Sequence, residues 1–230
     1  FMECKCKRGT INNLDRGIHN SCNTNFSNVY RRIIDKDNNA PDGMNTWHSH
    51  LGSFGLGNYL GYDHPVGQSG YVPNANFYNL WYPNQRWRGA TTVSNAIGQG
   101  EILMTPIQLA NVAATIANRG FFYSPHFVKG IQGDFIDSRY KTKRYTTIST
   151  KHFDPVVEGM ANVVKKGTAR VAAVRGIEVC GKTGTIENFT KINGVRTKLT
   201  DHSMFIAFAP KENPKIALAV IVENGYWGGR

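Results

Sequence analysis

Apolar residues change their spacing several times along the chain, and each change marks an element. From Asn13 to about Asp35, Leu14, Ile18, Cys22, Phe26, Val29 and Ile33 recur at steps of three and four, the spacing of an amphipathic helix. Ser21 and Asn23 fall inside it and cannot both point directly away from the core of a regular helix. Two readings stay open there: a break or loop at Ser21-Cys22-Asn23, or two ordinary polar helix positions. From Asp37 to Arg88 the periodicity lapses into Gly, Pro, Asn and aromatic residues, which predicts a long connection with short helices that shapes a binding surface. His48 and His50 within it read as surface, because a His-x-His pair alone is a weak metal signal. Ile97-Gly98-Gln99-Gly100 predicts a tight glycine turn.

The best-defined helix runs from about Pro106 to Arg119. Thr105 is its N-cap, Pro106 its first residue, Gln108 completes a Thr-x-x-Gln capping box, and Gly120 ends it. Apolar residues lie nearly all round, so it should be a buried packing helix. Phe127 to Thr150 reads as strands and turns, with Arg139, Lys141, Lys143 and Arg144 on a solvated hairpin. Asp154 to Lys166 is expected to be a helix with Val157, Met160, Ala161 and Val164 on one side. The run Ile177 to Asn188 has β-branched residues outside and small ones inside, which suits an edge strand bordering a cleft. Ser203 to Ala209 and Ile216 to Glu223 then continue it as an antiparallel meander.

The edge strand carries Lys182-Thr183-Gly184-Thr185. Gly181 and Gly184 leave room for another backbone, so a peptide can add itself as a further strand while Lys182 and the hydroxyls of Thr183 and Thr185 face its carboxylate. Gly176 to Thr183 also satisfies the P-loop expression G-x-x-x-x-G-K-[ST]. That motif needs a flexible loop before a helix, whereas the middle positions here are the strand residues Ile, Glu, Val and Cys.

The 230 residues can bury a full core as one domain or two small ones. Lys and Arg number 27 against 16 acidic residues, a formal charge of +11 that favours anionic partners such as nucleic acid, phospholipid headgroups or an acidic surface polymer. The cations are scattered and lack interleaved aromatic repeats, which argues against nucleic acid. The longest apolar run, Ile216 to Val222, is far short of the roughly 20 residues of a membrane-spanning helix. Both ends stop in mid-phrase, so the chain is expected to be a fragment whose targeting signals lie elsewhere. Cys4, Cys6, His19 and Cys22 could form a tetrahedral zinc site, but Cys-x-Cys with His-x-x-Cys is only loosely finger-like and buried thiols are the commoner outcome.

Taken in order, four phrases carry a resemblance: Ser21-Cys22-Asn23-Thr24, Gly98-Gln99-Gly100 through Gln108, Gly181 to Thr185, and Asp201-His202-Ser203 through Pro210, continuing into Val222 to Gly225. The chain resembles the transpeptidase domain of class B penicillin-binding proteins of the elongation type, and the phrases span nearly all of it. The resemblance implies an α+β fold, an antiparallel sheet covered by helices on both faces, with residues 1–230 the C-terminal part of a single transpeptidase domain incomplete at both ends. It implies acyl transfer at a serine, in which a D-alanyl-D-alanine stem-peptide end acylates the enzyme and passes to an amine on a neighbouring strand. Ser21 would relay a proton, and Asn23 would hold the lysine and the substrate amide. Lys182 would supply positive potential, Thr183, Gly184 and Thr185 would bind the terminal carboxylate, and the N–H of Thr185 would donate half the oxyanion hole. No cofactor is implied. The implied partners are peptidoglycan stem peptides, β-lactam antibiotics, a SEDS-type glycosyltransferase and cell-elongation proteins, with no nucleic acid. The implied place is the periplasmic face of the bacterial inner membrane, reached through an N-terminal anchor not present here.

One element of the pattern is missing. The nucleophile motif S-x-x-K should precede Ser21, and none of the 20 residues before it fit. Ser138-Arg139-Tyr140-Lys141 matches the letters but lies in a charged stretch, where nothing would desolvate a lysine base. The fragment by itself is therefore expected neither to acylate with penicillin nor to cross-link. Two other readings are a non-catalytic sensor or binding domain and a serine β-lactamase. The β-lactamase would need a water-activating residue that the sequence does not offer, and the Gly98 to Gln108 phrase speaks against it.

Overall fold

The computed structural model describes residues 13–64, 66–130, 132 and 136–228. The predicted first helix is two: α1, Leu14–His19, and α2, Asn23–Ile34, separated at Ser21. Asn13 caps α1 through its side chain, which accepts from the Arg16 N–H. The stretch expected to hold only short helices contains α3, Ala40–Ser53, of 14 residues, as well as the short α4, Ala75–Trp81. Asn39 caps α3, Pro41 lies in its first turn, and Ala40 and Met44 anchor it in the core. Tyr30 and Ile34 of α2, Met44 of α3, Tyr78 of α4 and Trp87 make one hydrophobic cluster.

The helix α5, Pro106–Ala117, has the predicted capping box, with both reciprocal bonds made. It ends two residues before the predicted limit, and Arg119 (φ 59°) takes the left-handed position ahead of Gly120. Gln108 is fully buried, and its Nε2 donates to the carbonyls of Gly55, Asn58 and Ser69, tying the glycine-rich loop after α3 to α5. The predicted cationic hairpin is not one. Two short strands, β1 (Phe121–Phe122) and β2 (Arg144–Tyr145), pair with each other, and a single helical turn lies at Ser138–Tyr140. The cations there lie on rings: Arg139 over Tyr140, Lys143 over Phe121 and Arg144 over Phe122. The helix α6, Phe153–Lys165, follows as expected and buries Val157, Met160, Ala161 and Val164.

The main sheet is antiparallel with the order β3, β6, β7, where β3 is Cys180–Ile186, β6 is His202–Ala209 and β7 is Ile216–Val222. Between β3 and β6 the chain makes a hairpin that sequence reasoning did not anticipate: β4, Phe189–Ile192, and β5, Val195–Lys198. Cys180 pairs with Phe208, and directly opposed residues of an antiparallel pair have their side chains on the same face, so Cys180 and Phe208 point together. Both are buried against Val157, Met160 and Val163 of α6 and Ala117 of α5, with Ile18 of α1 in the same cluster. Each fully buried side chain of this size contributes about 1.5–3 kcal/mol. The class is α+β, as expected. Ile216, Val220 and Val222, on the opposite face, are 59, 48 and 51% exposed, so a second helical cover is not among the described residues. The α1 helix belongs to the sheet-side cluster and α2 to the helical one. Ser21 is where the chain crosses between them.

Candidate active site

The turn at Ser21 is a Schellman motif. The Ser21 N–H donates to the Ile18 carbonyl at 3.0 Å and the Cys22 N–H to the Gly17 carbonyl at 2.9 Å, with Ser21 itself left-handed at φ 52°. Glycine usually fills that position, and an L-residue in this conformation costs about 1–2 kcal/mol. Cys22 is buried and is the N-cap residue of α2, Ser21 is half-buried between the two clusters, and Asn23 starts the new helix. Of the two open readings, the break holds.

Across from this turn runs β3. It pairs only with β6 among the described residues, so it is the edge strand the sequence predicts. The Nζ of Lys182 donates to Ser21 Oγ at 2.8 Å and to the Thr183 carbonyl at 2.7 Å. Gln99, from the predicted glycine turn, donates through Nε2 to the Thr185 carbonyl at 3.4 Å. Neither donor belongs to β6. The N–H and C=O of one strand residue point to the same side, so Thr183 and Thr185 present their backbone groups to the open edge. Burial pushes Lys182 down to about 8 from the usual 10.5, which leaves it largely protonated near neutral pH. The glycines act differently from expectation. A Cβ on Gly181 would lie 2.4 Å from the Phe205 ring and one on Gly184 2.5 Å from the end of Met204, so both make room for β6 within the sheet.

Three contacts around β3 were not foreseen. The Thr168 hydroxyl, in the turn after α6, lies 2.8 Å from the Thr183 hydroxyl. The Gly228 N–H donates to Thr185 Oγ1 at 3.3 Å. The loop bearing Gln99 is braced from behind, where Tyr78 donates to Glu101 at 2.6 Å and the Asn95 amide lies 2.7 Å from the Tyr78 hydroxyl. Burial, with the Glu101 carboxylate beside it, pushes the Tyr78 phenol up. No local sequence pattern marks Thr168, because its contact is with a residue of β3, a separate element. Gln99 lies within a phrase that the sequence did single out.

Other sequence candidates do not join this site. Of the possible zinc ligands, Cys4 and Cys6 lie outside the described residues, and His19 Nδ1 is 3.3 Å from Asp15. No group of three or more metal-ligating side chains occurs among the described residues. Ser138 and Lys141 are exposed, and the turn that holds them gives the lysine no desolvated setting. The P-loop expression fails structurally, because Lys182 and Thr183 lie in mid-strand rather than at a helix start. His50 is partly exposed, and its Nδ1 sits 2.6 Å from the Thr147 hydroxyl. Burial pushes the Cys180 thiol up to about 12, which makes it a core residue rather than a reactive one.

The chain matches the penicillin-binding protein transpeptidase domain model over residues 3–230. It is 31% identical to the peptidoglycan D,D-transpeptidase MrdA of Acinetobacter baumannii, over 100% of this chain and 34% of that protein. Its structure is similar to Pseudomonas aeruginosa penicillin-binding protein 2 in complex with WCK 5153, with a TM-score of 0.73, 30% identity, and coverage of 94% of this chain and 45% of that one. It is also similar to Helicobacter pylori penicillin-binding protein 2 in complex with MreC, with a TM-score of 0.70, 28% identity, and coverage of 94% and 37%. The chain thus spans about a third of the length of the curated relative. A model match over almost every residue, together with similarity in both sequence and fold to penicillin-binding protein 2, shows that the chain belongs to the penicillin-binding protein transpeptidase domain family, class B.

Proposed function

We propose that these residues form the proton-relay and carboxylate-binding part of a serine D,D-transpeptidase active site, in a protein that cross-links peptidoglycan stem peptides during cell-wall elongation. The observation that carries this reading is the 2.8 Å bond from Lys182 Nζ to Ser21 Oγ, made beside an edge strand whose Thr183 and Thr185 face outward. A stem peptide ending in D-alanyl-D-alanine lies along β3 as an added strand, pairing with the backbone of Thr183 and Thr185. Its terminal carboxylate meets their hydroxyls and the positive potential of Lys182. A serine of an S-x-x-K motif attacks the carbonyl of the penultimate residue as its proton passes to the lysine of that motif, which feeds the relay, and the Thr185 N–H stabilises the oxyanion. As the tetrahedral intermediate collapses, Ser21 delivers its proton to the departing D-alanine amine and is reprotonated from the lysine side. An amine of a neighbouring stem then attacks the ester, and the same relay runs in reverse. Asn23, at the start of α2, positions the substrate amide.

Within residues 1–230 only Ser138 satisfies the S-x-x-K letters, and its exposed turn gives no means of activation. Acylation is therefore expected to need the nucleophile segment that the class carries ahead of Ser21. The Helicobacter pylori relative was solved with MreC. For this protein, an MreC-like partner, a SEDS-type glycosyltransferase and the periplasmic face of the inner membrane follow as part of the proposal. The formal charge of +11 suits work beside anionic lipid and wall polymer. The test is the rate at which a fluorescent penicillin labels the longest natural form. Ser21→Ala and Thr185→Val should each slow labelling by about a hundredfold or more, as expected for loss of a proton relay or of a carboxylate ligand. Labelling at the unaltered rate in both variants would reject the reading.

A further inference from the structure

The turn Gly167-Thr168-Ala169, which follows α6, touches both halves of the site. The Thr168 N–H donates to the His19 carbonyl at 3.3 Å, two residues before Ser21, and its Oγ1 lies 2.8 Å from Thr183 Oγ1 on β3. The approach to His19 needs a glycine beside it, since a Cβ on Gly167 would lie 2.4 Å from that carbonyl oxygen. Ala169 is 2% exposed and its N–H donates to the Val163 carbonyl, which seats the turn on the end of α6. The Thr168 hydroxyl is thus held in place from three sides.

A threonine hydroxyl has one proton to give and two lone pairs with which to accept. If Thr183 gave its proton to Thr168, it would turn only lone pairs toward an incoming carboxylate and repel it. If Thr168 is the donor, the Thr183 proton is left for the ligand, and the chain O–H to O–H to carboxylate polarises in one direction. We propose that Thr168 is a positioning residue of the carboxylate site: it donates to Thr183 Oγ1 and so aims the Thr183 hydroxyl at the terminal carboxylate of a peptide lying on β3. This rests on the assignment of Thr183 to the carboxylate made above. Recognition of the substrate's anionic end then depends on a residue outside the Lys182 to Thr185 strand motif.

The test uses Thr168→Val, which keeps the shape and removes the hydroxyl, and Thr168→Ser, which restores it, both in the longest natural form. Benzylpenicillin and its methyl ester, which lacks the anionic carboxylate, are compared by acylation rate constant. Thr168→Val should slow the acid on the order of tenfold, the loss of one well-aimed bond to a charged group. Thr168→Ser should return most of that rate, and the ester should react alike with all three proteins. Equal slowing of acid and ester would make Thr168 a structural residue only, and no slowing of either would also overturn the proposal. Ligand-observed NMR with N-acetyl-D-alanyl-D-alanine and its C-terminal amide asks the question without acyl transfer. An acid preference in the parent that Thr168→Val abolishes supports the proposal even if penicillin labels nothing. An acid preference that survives in the variant overturns this proposal alone. Absence of the preference in the parent overturns the carboxylate reading and this proposal with it.

Discussion

Lys182 should destabilise the fold that it serves. Its buried ammonium titrates at about 8 rather than 10.5, and that difference of roughly 2.5 units corresponds to about 3 kcal/mol against the charged form in the folded chain. Between those two values the unfolded chain binds the extra proton. The penalty is therefore full below pH 8 and fades as the pH rises toward 10.5, so stability from this group increases with pH across that window. Lys182→Met fills similar volume without a charge and removes the donor to Ser21 Oγ and the Thr183 carbonyl. The expected result is a variant more stable than the parent by about 1–3 kcal/mol at pH 7, an advantage that shrinks by about 2–3 kcal/mol by pH 10. Denaturant unfolding of both proteins at pH 7, 8.5 and 10 measures it, and the difference between the two cancels all other titrating groups. A stability difference that stays constant across that range, or a variant less stable at pH 7 than at pH 10 relative to the parent, would refute a desolvated Lys182. The same variant should label with penicillin at least a hundredfold more slowly, because catalysis is the compensation for a buried charge.

Ser21→Gly should separate backbone from chemistry. Relief of the left-handed serine, about 1–2 kcal/mol, is offset by the greater freedom of glycine when unfolded, about 0.5–1 kcal/mol. Thermal unfolding should thus show unchanged or slightly raised stability beside a labelling rate lowered by about a hundredfold, and a large loss of stability would disprove the strain at φ 52°. Gln108→Leu is expected to cost about 2–4 kcal/mol, since it strips the donor from the carbonyls of Gly55, Asn58 and Ser69 in a buried place. Denaturant titration reads that cost directly, and a neutral effect would mean that water replaces the amide.

The parts of the site built by short-range pattern were legible in the sequence. The edge strand was marked by β-branched residues around small ones. The capping box at Thr105 and Gln108 and the glycine turn at Gly98 follow local rules that tertiary structure had no reason to override. The break at Ser21 was legible only as one of two options, because the apolar spacing runs straight through it. The α3 helix escaped notice for the opposite reason. Pro41, Gly43 and Gly52 lower its intrinsic propensity, and it forms because Ala40 and Met44 are fully buried. The β4–β5 hairpin did have a signal, since Asn193 (φ 51°) and Gly194 (φ 81°) are the two residues of a tight hairpin turn between alternating strands. The Thr168 contact left no trace to read. Its partner Thr183 is on a different element, and only the packing of the turn after α6 brings the two hydroxyls together.

If Ser21, Lys182, Thr183 and Thr185 serve acyl transfer to a separate serine, the position of the acyl group reveals it. The longest natural form is incubated with fluorescent penicillin, digested, and the labelled peptide sequenced by mass spectrometry. One label is expected, on the serine of an S-x-x-K motif other than Ser138, and Ser21→Ala should slow its appearance without moving it. A label on Ser138 or on Ser21 itself, or a folded protein that takes up no label, would contradict it.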